Sequence, residues 1–373
     1  MPGRGMQSVM TESLALAPAT IAFNAAMLAV DCLALAACLR FRRAIIAFLA
    51  VGGAAALGLA LVVLFTVRHV GHLDFYMLYL CSWLMFAHVP LTLTGAAVAM
   101  WRNRRPFALL SACLAICALG IGADAFLIEP FRLQVDTYTV TSPKVPQPTR
   151  IVVIADLQTD EVGPYEREAL RRAMEQRPDL ILLAGDYLQQ NPLEPELVRA
   201  FQALLREVGL SAPLGVFAVQ GDVEQADWPE LFRDLPVTVM ETNETWKDSW
   251  FSITGLTIRE SHFAGPGRLA PPIPSTEDFH IVLAHAPDFA LGYAPADLLV
   301  TGHTHGGQVQ LPFLGPLMTL SQVPRAWAAG GLTKLEGDRT LIVSRGVGME
   351  RGEAPRLRFL CPPQLVVIDL KPG

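Results

Sequence analysis

Charge is scarce in this 373-residue chain: Asp, Glu, Lys and Arg make up 17% of it, against 52% hydrophobic residues. So little charge, with a mean hydropathy of +0.37, excludes a single ordinary soluble enzyme. The chain also lacks an internal repeat, a low-complexity tract and a cysteine-dense segment, which excludes collagenous, disordered and disulfide-scaffold architectures. Five of its six cysteines (Cys32, Cys38, Cys81, Cys113, Cys117) sit in long apolar runs and act there as small apolar residues. Cys361 stands alone in the remainder, so that part can form neither an internal disulfide nor a thiolate metal cluster.

What is present is unevenly placed. Residues 1–133 hold nine arginines against five carboxylates, a net +4; residues 134–373 hold 20 basic against 30 acidic side chains, a net −10. The acidic part argues against nucleic acid as a partner. In the first third, Leu14–Leu39, Ala44–Thr66, Phe75–Met100 and Pro106–Ile128 are apolar runs long enough to cross a bilayer. Three such runs after the first exclude a cleaved signal peptide. The intervening loops carry Arg40, Arg42, Arg43, Arg102, Arg104 and Arg105, and the opposite side only Arg4, Arg68 and Arg132. That asymmetry predicts a multi-pass integral membrane protein with cytoplasmic Arg loops and an extracytoplasmic C-terminal domain. Asn24, Asp31, His88 and Asp124 inside the spans read as interhelical hydrogen bonders. Gly52, Gly53 and Gly58 read as points of close helix packing.

Residues 134–149 read as an edge strand (Val135–Ser142) and an extended linker, and residues 150–373 as one substantial α/β domain. Short continuous apolar runs alternate there with helical patterns at Tyr165–Gln176, Glu194–Val208 and Ala226–Phe232, which predicts buried parallel strands with a second sheet. The polar residues fall at the ends of those runs. Ile151–Ala155 ends in Asp156-Leu-Gln158, Leu180–Ala184 in Gly185-Asp186, and Val216–Gln220 in Gly221-Asp222-Val223-Glu224. Ile281–Ala284 ends in His285, and Leu298–Thr301 in Gly302-His303-Thr304-His305-Gly306-Gly307. Ligands of open α/β sheets bind at the carboxyl ends of strands, so these side chains are expected to converge. Asp and His without Cys suit Mn²⁺, Fe²⁺ or Zn²⁺. His303 and His305, two apart in a loop, point to two metals rather than one, and a two-metal centre can clamp a phosphoryl group for in-line attack by a shared hydroxide. His262 and His280 read as surface or strand-end histidines, Glu224 as a loop orienter, and Arg345 as a weak phosphate contact or a strand-end brace. The apolar stretch around Leu311–Leu320 reads as ordinary packing, with the lining of a lipid or headgroup cleft as the alternative.

This ordered set resembles the calcineurin-like metallophosphoesterases. Gly302–Gln308 (GHTHGGQ) and Arg358-Phe-Leu-Cys-Pro-Pro-Gln364 look like the membrane-anchored branch of that family. The resemblance covers roughly residues 135–370 and implies a four-layer αββα sandwich behind an all-α four-helix transmembrane region. It implies that Asp156, Gln158, Asp186 and His305 hold a first divalent metal. Asp186 would bridge to a second, held by Asp222, His285 and His303. Asp186, Asp222 and His303 would act in catalysis.

Four positions depart from the family pattern: Gln158 and Val223 stand where His is usual, Asp222 where Asn is, and Gln189 where Asp often is. Two divalent cations against Asp156 and Asp186, with a bridging hydroxide, leave +1, and Asp222 lowers that to zero. A neutral centre predicts slow turnover and a preference for diesters or pyrophosphates over monoesters. The substrate implied is a phosphorylated lipid or nucleotide-linked lipid, of which UDP-diacylglucosamine is one type, although that substrate would be expected on the cytoplasmic face. A catalytically degenerate metal- or phosphate-binding sensor or scaffold is the alternative.

Overall fold

The structure is a computed structural model describing residues 7–41, 43–70, 75–189, 194–262, 273–352 and 354–373, with side chains from residue 17 onward. Arg4 and Arg42 of the charge count, and the side chains of Leu14, Ala15 and Leu16, lie outside that description. The chain divides into two compact units, residues 1–127 with 350–356, and residues 128–349 with 357–373.

The first unit is helical. Ala17–Phe41, Ala44–His69, Phe75–Met100 and Arg105–Phe131 are long and apolar enough to cross a membrane, close to the four expected runs. Large apolar side chains point outward, among them Ile21, Leu33, Leu49 and Val98, each about 70% exposed. Such a surface fits a transmembrane region. Gly58 lies against Leu84, where a Cβ would come within 2.5 Å of its side chain, but Gly52 and Gly53 face open space rather than a neighbouring helix. The third helix makes a π-turn at Leu84–His88, two residues before Pro90, whose missing N–H breaks the regular ladder. That turn sets His88 between Asp31 (Nδ1–Oδ2 2.6 Å) and Asn24 (Nε2–Oδ1 2.9 Å), the interhelical bonding expected of these residues.

The second unit holds two six-stranded sheets and a small hairpin. The strands are β1 Gln134–Ser142, β2 Thr149–Ile154, β3 Leu180–Leu183, β4 Val216–Val219, β5 Thr238–Met240, β6 Glu244–Lys247 and β7 Phe251–Gly255, followed by β8 Phe279–Leu283 and β9 Leu298–Thr301. After them come β10 Gln310–Leu311, β11 Gly315–Pro316, β12 Gly331–Lys334, β13 Thr340–Val343 and β14 Gln364–Pro372. One sheet runs β1-β14-β2-β3-β4-β5 and the other β12-β13-β9-β8-β7-β6. β1 lies at the end of its sheet and pairs in parallel with β14 along its whole length.

Alternation along the buried strands builds the layers. Ile151 and Val153 of β2, Leu180 and Leu182 of β3, and Ile281 and Leu283 of β8 meet between the sheets. Val152, Ile154, Ile181 and Leu183 face the other way, against Leu170 and Phe201 of the helices Pro164–Glu175 and Pro195–Glu207. Beyond the second sheet, Val282, Leu299 and Val343 pack under Phe289 and Ala290. The expected four layers are present, but the last consists of short helical turns, Ile258–His262, Asp288–Leu291 and Arg325–Ala328. The helix expected at Ala226–Phe232 is a 3₁₀ turn, Trp228–Phe232. Every strand that feeds a site residue (β2, β3, β4, β8 and β9) runs parallel to its sequential neighbour. Their carboxyl ends therefore share one edge of each sheet.

Candidate metal centre

The loops leaving those strands are held in unusual backbone conformations. Asp156, Gln158, Asp186, His303 and His305 all have positive φ, between 41° and 69°. Non-glycine residues rarely adopt this region, and such strain persists where the surroundings over-determine it. Here they do: Asp156 N–H donates to Gly185 O (3.0 Å), Gln158 N–H to Asp186 O (2.8 Å) and Gly348 N–H to Asp156 O (2.7 Å). Glycine is needed where these loops touch. At Gly302 a Cβ would lie 2.6 Å from Asp156 Oδ2, and Gly185, at φ +89°, would press on Gly221 and His285.

Five of the expected ligands converge. Ligand atoms of Asp222, His285 and His303 lie within 4.8 Å of one another, as do those of Asp156, Asp186 and His285. His285 Nε2 is 3.4 Å from both Asp186 Oδ2 and Asp222 Oδ1. The outer nitrogens fix the tautomers: His285 Nδ1 donates to Ala184 O (2.8 Å) and His303 Nε2 to Leu320 O (3.3 Å). Ring N–H groups anchored on carbonyls turn the inner nitrogens, His285 Nε2 and His303 Nδ1, toward the carboxylates and each other, the usual orientation of metal-binding histidines. Asp156 Oδ1 accepts from His303 N–H (2.9 Å) and Asp186 Oδ1 from Val223 N–H (3.1 Å).

His305 and Gln158 are buried at the same loops, but His305 joins neither three-residue group. Asp156 Oδ2 and both ring nitrogens of His305 are buried without a hydrogen-bond partner, a costly state that a cation would relieve. The donors therefore fit divalent metal ions of the kind that calcineurin-like phosphoesterases use. The electrostatics agree. Burial pushes the Asp156 carboxyl up to about 7 and, with Asp186 beside it, the Glu224 carboxyl up to about 8. Burial also raises Asp186, and the Asp222 carboxylate adds to that. For Asp222, burial is outweighed by the imidazoles of His285 and His303, which hold it well below the usual range.

Other residues take roles that the sequence only partly disclosed. Glu224 orients the loops as expected, accepting N–H bonds from Gly221 (2.7 Å), Asp186 (3.0 Å) and Tyr187 (2.5 Å). Arg345 is a brace: its guanidinium bonds Asp136 (3.0 Å), Gln134 (3.2 Å) and Pro362 O (3.2 Å). His280 bonds Thr254 (2.7 Å) and Pro295 O inside β8. His262 is half-buried and not at a strand end: it ends the turn Ile258–His262 with its ring edge-on to His303, centroids 4.7 Å apart. The stretch Leu311–Leu320 does not simply pack, since Phe313, Leu314, Leu317 and Leu320 are exposed.

Sequence reasoning missed Arg358. It is fully buried and donates to backbone carbonyls, among them Gly348 (Nε, 3.1 Å), Arg345 (Nη2, 2.8 Å) and Cys361 (Nη1, 3.0 Å), and to Cys361 Sγ (Nη1, 3.9 Å). It also approaches His305 O, and its charge acts on Asp156 and, after burial, lowers His305. A charge balance counted from ligands alone omits this cation. Its apolar-flanked motif gave no sign of burial.

The Calcineurin-like phosphoesterase family model matches residues 149–307. The chain is 30% identical over 234 residues to Phosphodiesterase YaeI of Escherichia coli, covering 60% of this chain and 82% of that protein. It is 28% identical over 277 residues to the uncharacterized metallophosphoesterase YkuE of Bacillus subtilis, covering 69% and 92%. To UDP-2,3-diacylglucosamine pyrophosphatase LpxG of Chlamydia trachomatis it is 25% identical over 283 residues, covering 59% and 82%. The chain belongs to the calcineurin-like phosphoesterase family and is a hydrolase acting on phosphoester bonds.

Proposed function

We propose that this protein is a membrane-anchored, metal-dependent phosphoesterase that hydrolyses the phosphodiester or pyrophosphate bond of a lipid-linked substrate. One observation carries the reading: the inner ring nitrogens of His285 and His303 and the carboxylates of Asp156, Asp186 and Asp222 face a common space. Two divalent cations, when bound, supply Lewis acidity and acidify water. Asp156, Gln158, Asp186 and His305 would hold one, and Asp186, Asp222, His285 and His303 the other. Asp186 would bridge the two, and Glu224 fixes the loops that carry Asp186 and Asp222.

The four apolar helices and the pyrophosphatase relative support a lipid-linked substrate. Six loop arginines against three support an extracytoplasmic catalytic domain; a C-terminal alkaline phosphatase fusion should then be active, and a C-terminal fluorescent-protein fusion dark. The test of function uses the full-length purified chain with Mn²⁺. Two bound ions and bis-p-nitrophenyl phosphate hydrolysis, lost in Asp186→Ala, are expected; faster p-nitrophenyl monoester turnover would refute the substrate preference. A second reading, a metal- or phosphate-binding sensor without turnover, draws on Val223, whose buried valine occupies a position where the family pattern has His. It gains support if both ions bind and a lipid-phosphate panel stays intact.

A further inference from the structure

Phe313 is more exposed than any other large apolar side chain among the described residues, those of the four apolar helices included. It stands at the tip of the β10–β11 hairpin, in which Gln310 pairs with Pro316 and Leu311 with Gly315. Leu314, Leu317 and Leu320, which follow it, are exposed as well, Leu314 by 62%. No Asp, Glu, Lys or Arg occurs from residue 309 to residue 324. The backbone of the tip is strained. Leu314 N–H donates to Leu311 O (3.2 Å), and Pro312 precedes Phe313, whose φ is +68°. That is a type II turn with phenylalanine in the place that ordinarily takes glycine. Such strain persists where a side chain has a task other than packing, and the fully exposed Phe313 gives the core nothing in return.

The hairpin is fastened to the metal centre. Leu317 N–H donates to Val309 O (3.3 Å), and a Cβ at Gly307 would come within 2.5 Å of Pro316 Cβ and Met318 O. Leu320 O accepts from His303 Nε2 (3.3 Å). The GHTHGGQ loop and the hairpin are therefore one piece, and whatever seats the tip also positions His303. An uncharged, aromatic-tipped surface suits hydrocarbon rather than a charged ligand. Covalent continuity supplies that hydrocarbon: Arg132 and Leu133 alone separate the fourth candidate span, which ends at Phe131, from β1. We propose that Phe313 and Leu314, flanked by Leu317 and Leu320, insert into the surface of the bilayer that anchors the chain and so present the metal centre to lipid phosphate groups. This rests on the membrane-anchored hydrolase reading and deepens it: the substrate is a phosphodiester or pyrophosphate displayed by the membrane, not one free in water.

The experiment places a nitrobenzoxadiazole label on Phe313→Cys in the full-length chain, held in lipid nanodiscs. The unsubstituted chain, labelled on its native cysteines, supplies the background and a positive control, since Cys32, Cys113 and Cys117 are exposed on the spans. Arg199→Cys, on the helix Pro195–Glu207, is the exposed polar control. The label at 313 should be quenched more by phosphatidylcholine with brominated acyl chains, and less by iodide, than the label at 199. Iodide quenching equal to that at 199 would overturn the proposal. So would protection from both quenchers, which would mean that a protein surface, such as a second copy of the chain, covers the tip. Native cysteines untouched by brominated lipid would end the membrane reading together with the proposal. Turnover is the second readout. In Mn²⁺-loaded nanodiscs, Phe313→Ser should slow hydrolysis of bilayer-embedded hexadecyl p-nitrophenyl phosphate about tenfold and leave that of bis-p-nitrophenyl phosphate within about twofold. Equal losses on both would overturn the proposal and make the hairpin a structural brace of His303. If the unsubstituted chain turns neither over, the hydrolase reading fails by itself, and the quenching still decides where the tip sits.

Discussion

His285 Nε2 and His303 Nδ1 face each other 3.2 Å apart, each on a ring whose other nitrogen donates to a backbone carbonyl. Two lone pairs at that distance repel unless a cation or proton lies between them. The carboxyls around them raise the same demand. Folding holds a proton on Asp156 up to about pH 7 and on Glu224 up to about pH 8, whereas unfolded chains release theirs near 3.8 and 4.5. A carboxyl with a raised folded pKa stabilises the fold at low pH and loses that contribution as pH rises. The chelated protein should therefore melt at lower temperature at pH 8 than at pH 5.5. Mn²⁺ displaces those protons and should reverse the order, adding about 2.7 kcal/mol at a hundredfold excess over its Kd. Differential scanning fluorimetry with EDTA and with Mn²⁺ reads both trends. A melting temperature indifferent to metal at every pH would contradict them.

Asp222 adds a carboxylate where the family usually has a neutral amide, and its 40% exposure puts that charge in the path of an incoming phosphate. A unit charge about 4 Å away, at an effective dielectric near 20, is worth roughly 4 kcal/mol against each substrate charge, so a dianion is disfavoured by roughly 4 kcal/mol more than a monoanion. Screening by bound cations leaves part of this. Asp222→Asn should therefore raise the monoester-to-diester rate ratio by about tenfold, with both ions retained. Paired p-nitrophenyl assays measure the ratio, and a ratio that falls would show that Asp222 acts as a ligand and not through its charge.

The site was legible because its residues stand immediately after buried strands. Once β2, β3, β4, β8 and β9 are read as parallel, Asp156, Asp186, Asp222, His285 and His303 must share an edge, and they do. His262 and Arg358 were not legible by that logic. His262 ends a five-residue turn, and only the fold of the 320–322 loop brings Asp288 and His303 beside it. Arg358 stands in a sequence that ordinarily marks a surface arginine, and its burial depends on the carbonyls of Arg345, Gly348 and Cys361. The fourth layer was expected but its thinness was not, for a related reason: apolar residues such as Phe289 cover the second sheet from short turns that carry no helical period.

Arg358 makes a direct prediction. Its guanidinium is fully buried and satisfies carbonyls of Arg345, Gly348 and Cys361. Arg358→Met would leave several of them buried without donors, each costing about 1–3 kcal/mol. A loss of at least about 3 kcal/mol in stability is expected. Arg358→Lys keeps the charge but cannot span the fork, so it should fold better yet bind Mn²⁺ more weakly than the unsubstituted chain. Metal titration of the lysine variant separates the two effects: unchanged Mn²⁺ affinity would confine Arg358 to a packing role.

The helical unit offers an independent test of buried charge. Asn24 Nδ2 donates to Thr20 O (2.9 Å), so its Oδ1 must accept from His88 Nε2–H, which leaves one proton shared between His88 Nδ1 and Asp31 Oδ2 at 2.6 Å. The pair is neutral whichever atom holds that proton. Removing one partner is a different matter, because Asp31 Oδ1 already lacks a hydrogen bond. His88→Leu should cost about 3–5 kcal/mol by stranding the carboxylate, whereas Asp31→Leu/His88→Leu should be close to neutral, since an apolar pair of similar volume needs no desolvation. Unfolding of the full chain in mixed micelles gives both numbers. Equal losses in the single and double variants would mean that the two side chains are not coupled, and that the π-turn at Leu84–His88 is set by Pro90 alone.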